Sequence, residues 1–278
     1  MTPREYMNRY VSLDVRRKDG DTVKVTVDQY RRGDWGFDGA ENWAIVNRLR
    51  TKGIDEGTVL QVGKEAIKIE RHNRMETKGK KWEVLVGLPF WGKGSPEQCQ
   101  LVLQLADYWG RARNGLQAYA KKLGLDCNGF VGNYLWHRMN QDWAELGHGK
   151  GHLGPNISIT QQFDPFPLVT SWEELNPARM YVMAWVHDNG RVRPGGSDMG
   201  HIAITEPNEW RSAWDRHPSE LLAVESWPDT FQQNAAQNKG LRTTWYKLLK
   251  FDAKKKTFKI KREGSSREML FKLACVSG

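Results

Sequence analysis

Three residues in the order Cys127, His201, Glu225 have the types that acyl-transfer chemistry needs. The first lies in Asp126-Cys127-Asn128-Gly129-Phe130-Val131. Gly124 and Asn128-Gly129 bracket a tight entry, after which Phe130, Val131, Tyr134 and Leu135 fall on one side of a helical repeat. The spacing predicts a helix with Cys127 at or near its N-terminus and Asp126 as the N-cap. Unpaired amide groups at such an end stabilise a thiolate and hold a developing oxyanion. An inert, packed thiol is the competing reading, although a structural cysteine more often sits inside an apolar stripe than at a helix start.

A nucleophilic thiol needs a base. Of the seven histidines, His201 opens the strand-like GHIAIT, where Gly200 leaves room for approach. A hydrogen-bonding surface histidine is the plainer alternative. Glu225 lies in the next strand-like segment, AVES, so neighbouring antiparallel strands would bring the two together. A carboxylate that accepts from one imidazole nitrogen fixes the tautomer and leaves the other nitrogen for the thiol. Ser226 points to the opposite face of that strand. Glu225 could equally be a salt-bridging surface carboxylate, but its flanks Ala223 and Val224 speak against full exposure.

Composition narrows the classes. The 278 residues carry 42 Lys and Arg against 33 Asp and Glu, a net charge of +9 that favours an anionic partner such as an acidic polymer. Part of the excess is local, in KGKK at 78–81, KKK at 254–256 and KIKR at 259–262, and such runs are usually solvated faces. No zinc-finger, RRM or helix-turn-helix signature accompanies it, which disfavours nucleic acid. The three cysteines, Cys99, Cys127 and Cys275, are too few for a disulfide scaffold. With no CxxC or tight His/Cys cluster, no metal and no cofactor is expected. No apolar run approaches the roughly 18 residues of a membrane span. The opening residues lack the apolar stretch of a signal peptide, so the location stays open. The 13 Trp suit core packing or a sugar- or peptide-lined groove.

The elements that must position the triad follow from periodicity. Strands are expected within 10–30, a helix over 41–51, strands over 57–68, and a hairpin pairing 66–71 with 81–87. Residues 88–96 are rich in Pro and Gly and read as a linker. Ser95-Pro96 starts a helix running to about 110, and a second covers 113–122. Strands return at 179–188, 200–207 and 221–227, and the tail alternates through TTWYKLLKFD, KTFKIKR and REMLFKLACV. Helices first and an antiparallel sheet second give an α+β class.

With these residues in place, DCNGF followed by GHIAI resembles the NlpC/P60 family of papain-like cysteine hydrolases, over about residues 97–250. The resemblance implies papain-like helices packed on an antiparallel sheet, Cys127 as nucleophile, His201 as base and Glu225 as third member. It also implies cleavage of an amide bond in bacterial peptidoglycan peptides. Asn128 stands where the family carries Ser, Glu225 where it carries His, Asn or Gln, and an insertion near 141–177 lengthens the chain between Cys and His. The segment 31–63 is similar to a LysM module, a peptidoglycan-binding fold. Together these predict a small β-rich accessory domain over 1–88 and a hydrolase domain over 89–278. An acyltransferase with the same Cys–His pair, or a non-catalytic cell-wall or protein binding module, are the alternatives.

Overall fold

The alternation in the C-terminal half builds six strands: β5 (Met180–Trp185), β6 (Ile202–Arg211), β7 (Glu220–Ser226), β8 (Leu241–Asp252), β9 (Thr257–Arg262) and β10 (Glu268–Val276). The computed structural model describes residues 1–31, 39–51, 59–62, 65–68, 86–138, 153–195, 198–212, 218–228 and 240–276. Each of the six strands pairs antiparallel with its successor, and β10 returns to β5 with Phe271 opposite Trp185 and Val276 opposite Met180. The sheet is therefore a closed barrel.

This corrects the expected α+β class. The sheet is not an open layer under papain-like helices of the NlpC/P60 type; a six-stranded barrel dominates the molecule, with a few helices outside it. The physical reason lies in the two-sided burial of its strands. In β5 every residue is buried. Tyr181, Met183 and Trp185 join residues from all six strands, such as Ala203, Ala223, Tyr246, Ile260 and Phe271, in the barrel interior. Val182 and Ala184 instead pack outward with Ile202, Ile204 and Val224 against the helices. Val169 and Leu175, which precede β5, join the same interior cluster as Tyr181.

Six helices among the described residues lie outside the barrel, of which the first and the last two touch its strands. They are α1 (Pro3–Val11), α2 (Gly39–Thr51), α3 (Pro96–Tyr108), α4 (Leu116–Ala120), α5 (Cys127–Arg138) and α6 (Ile159–Phe163). Ser95 caps α3 as expected, with Gln98 completing a reciprocal capping box. Tyr6 and Tyr10 of α1 meet Phe130 and Tyr134 of α5 in tilted and edge-on ring contacts. β1 (Leu13–Arg16) pairs with β2 (Thr22–Val25), and β3 (Val59–Val62) with β4 (Glu65–Lys68). Val15 and Val25 share one buried cluster with α3, α5 and the outer barrel wall, so the core runs straight across the 88–96 segment. That segment holds a short 3-10 turn, Leu88–Trp91. Residues 69–71 and 81–85 of the expected hairpin, part of the LysM-like stretch and 141–152 of the expected insertion lie outside the described residues. Among the described residues, no helix is long and apolar enough to cross a membrane.

Candidate functional site

The N-terminus of α5 is fixed before the thiol is considered. Asp126 Oδ1 accepts from Gly129 N at 2.5 Å, the N-cap bond read from the sequence, and Lys93 Nζ lies 2.8 Å from the same oxygen. Gly92, at φ 77, accepts the Asp126 amide at 3.0 Å through its carbonyl. That carbonyl comes so close to the helix that a Cβ on Gly129 would stand 1.9 Å from it. The glycine of DCNGF thus allows a loop to brace the helix start. Asn128, where the resembled family has Ser, turns away to other work. Its Nδ2 donates to the Ile157 carbonyl, and its Oδ1 accepts from Gln162 of α6. It anchors the described end of the inserted segment.

Cys127 is 7% exposed and packs with the helix-side core. Backbone amides of Ile202 and Asn128 reach its sulfur. Burial, and next the Asp126 carboxylate, push the thiol up to about 12, against those amides and Lys93. The activated thiolate expected from the helix terminus is therefore not the resting form: desolvation outweighs the terminal amides.

His201 stands one residue before β6, paired across the ladder with Trp185, whose amide donates to its carbonyl at 2.9 Å. Its ring faces the barrel interior, 4.1 Å from the Trp227 ring and edge-on to it. Nε2 lies 2.8 Å from Glu225 Oε2, with both side chains almost wholly buried. Since a carboxylate only accepts, Nε2 carries the proton and Nδ1 keeps its lone pair. Nδ1 is buried with no hydrogen-bond partner among the described residues. The structure thus joins His201 to Glu225. It brings Cys127 to the next residue along the strand, without a hydrogen bond between thiol and imidazole. Cys127 is buried, as a pure binding module would have it, in the helix-side cluster that holds Ile202, whereas the His201 ring lies against Trp227 and Phe271. Ser226, on the opposite face as expected, donates to the Leu125 carbonyl at 2.6 Å and ties the entry of α5 to the strand end.

Glu225 is the hub of a network. Its Oε1 accepts from Thr244 Oγ1 at 2.7 Å and from Arg262 Nε at 2.9 Å and Nη2 at 2.5 Å. Its Oε2 accepts from the Tyr246 hydroxyl at 2.5 Å as well as from His201. Burial acts to raise Glu225; the hydrogen bonds from His201 and Arg262 and the charge of Arg262 outweigh it and hold the carboxyl at about 2. Burial likewise lowers His201, against the pull of Glu225, so the ring is neutral. Asp198, a conceivable rival for the third position, pairs with His187 at 2.7 Å instead. Arg262, Tyr246 and Thr244 escaped the sequence reading. Arg262 belongs to the run KIKR, read as solvated, yet it shares a strand face with buried Phe258 and Ile260. That alternation was the available signal.

Among the described residues, no three His, Cys, Asp or Glu side chains gather as a metal site. The chain matches no family model, no curated protein and no solved structure.

Proposed function

We propose that the chain is a cysteine hydrolase that cleaves an amide bond through an acyl-enzyme on Cys127. The observation that carries this is the buried His201–Glu225 pair, with Nδ1 unpartnered beside the residue whose amide reaches the Cys127 sulfur. In the first half-reaction, His201 Nδ1 takes the thiol proton as sulfur bonds to the carbonyl carbon. First-turn amides of α5 support the oxyanion. The carbon–nitrogen bond then breaks and the imidazole returns its proton to the leaving amine. Water next attacks the thioester, giving its proton to Nδ1, and the thiol is regenerated with the carboxylic acid.

The substrate proposed is a peptide of the bacterial wall type. It is supported by the DCNGF and GHIAI motifs and by the basic surface, which suits an acidic polymer. Purified peptidoglycan fragments incubated with wild type and Cys127→Ala, with products read by mass spectrometry, test it. A new amine and carboxylate pair formed by wild type alone is expected. Turnover only in the presence of an amine acceptor would reassign the chain as an acyltransferase. No turnover of wall fragments or of general peptide libraries would overturn the hydrolase reading.

A further inference from the structure

One buried charge has no role in the reaction just described. Arg262 holds one oxygen of Glu225 through two nitrogens while His201 holds the other oxygen. Its side chain is 12% exposed and that of Glu225 is fully buried. We propose that Arg262 is a positioning residue that sets the resting protonation state of the Cys127–His201 pair. By offsetting the charge of Glu225 it adds to the burial that keeps His201 neutral, so thiol and imidazole stay uncharged until substrate arrives. The proposal rests on the hydrolase reading of the same site.

The argument is electrostatic. A buried carboxylate alone beside an imidazole draws a proton onto the ring, and the imidazolium in turn favours a thiolate nearby. A guanidinium keeps its charge at every working pH and matches a carboxylate with its rigid fork of donors. At the ring, Arg262 therefore offsets part of the Glu225 charge, on top of the larger effect of burial. Tyr246 and Thr244 occupy the same carboxylate with neutral hydrogen bonds, which spread its charge further.

The other charges around the pair do not restore an imidazolium. Arg242, opposite Glu225 in the ladder, donates to the Trp227 and Gly240 carbonyls. Arg193 and Arg267 lie over the ring of Trp185, the ladder neighbour of His201. Asp198 is engaged by Arg193 and His187. Beside the thiol, Asp126 disfavours a thiolate and Lys93 offsets it in part. The directions found for the two reacting groups, His201 down and Cys127 up, agree with an uncharged pair. The proton then leaves sulfur only as the sulfur–carbon bond forms.

The test is the pH profile of iodoacetamide alkylation at Cys127, followed peptide by peptide so that Cys99 and Cys275 are scored separately. Alkylation reports thiolate whether or not a substrate is known. Wild type should gain rate steadily with pH and show no plateau below about pH 8. Arg262→Gln should create an acid plateau and raise the rate near pH 6 by about tenfold or more. Arg262→Lys, which keeps the charge, should stay close to wild type. Arg262→Gln with Glu225→Gln removes both charges and should restore the wild-type profile; it decides the matter if the single variant does not fold. A wild-type plateau between pH 5 and 7 would overturn the proposal, as would a folded Arg262→Gln whose profile superimposes on wild type. A double variant that still shows the acid plateau would do the same. The hydrolase reading fails by a different result, absence of turnover, which leaves these profiles untouched.

Discussion

Glu225 concentrates the chemistry at the scale of single residues. It is fully buried, yet it stays charged because every direction around it supplies a donor: His201, Tyr246, Thr244 and Arg262. Removing one member of a buried ion pair costs more than the pair contributes, because the remaining charge loses its partner. Glu225→Gln should therefore lower stability by about 3–5 kcal/mol. Glu225→Gln combined with Arg262→Gln should recover part of that loss. Urea titrations of the two variants check this; equal stability of single and double variants would show that the two charges do not couple. At the same scale the sequence was informative about types and silent about environment. Cys127, His201 and Glu225 were legible, whereas the thiol's displacement to about 12 was not, because it follows from burial and from Asp126 next to it.

Among the elements, α5 depends on its first turn. Asp126 both caps the helix and pairs with Lys93, so Asp126→Ala should cost about 0.5–2 kcal/mol and loosen the thiol's position. Gly129→Ala is expected to be worse despite its better helix propensity, since the new methyl meets the Gly92 carbonyl. Thermal melts should rank wild type above both variants; a Gly129→Ala protein as stable as wild type would mean that the loop 92–93 does not brace the helix. The cap of this helix and that of α3 could be read from the chain because capping is a local hydrogen bond between residues three apart. The brace could not, because Gly92 and Gly129 are distant in sequence.

For the whole molecule, the barrel makes acid sensitivity a global property. The carboxyl of Glu225 is held at about 2, below the usual 4.5, so the folded state binds its proton less readily than the unfolded chain does. Its contribution is complete above the unfolded value and is lost as pH falls toward about 2; the sum is on the order of 3 kcal/mol. His201, lowered from 6.5, acts in the same direction from about pH 6.5 downward, since the unfolded chain takes up its proton first. Urea midpoints should fall between pH 7 and pH 3, and the fall should shrink in the variant with both Glu225→Gln and Arg262→Gln. A flat midpoint over that range would mean that neither group is held as described. Packing sets the other global prediction. Leu273 is fully buried in the barrel interior, so Leu273→Ala should cost about 2–5 kcal/mol by denaturant titration.

Sequence by itself determined what depends on short range: the strand segments of the C-terminal half, the caps of α3 and α5, and the three residue types that suit acyl transfer. Period-two alternation carries that information because it needs only a residue and its neighbours on the strand. Tertiary structure alone decided that the sheet closes. Open and closed sheets alternate alike, and the deciding contact, β10 on β5, joins segments that the chain itself keeps far apart. Closure then turned Arg262 inward from a run that reads as solvated, and placed it on Glu225 from a strand that is not the ladder neighbour of β7. Which charges meet inside a barrel is fixed by its curvature, and curvature leaves no mark on a local pattern.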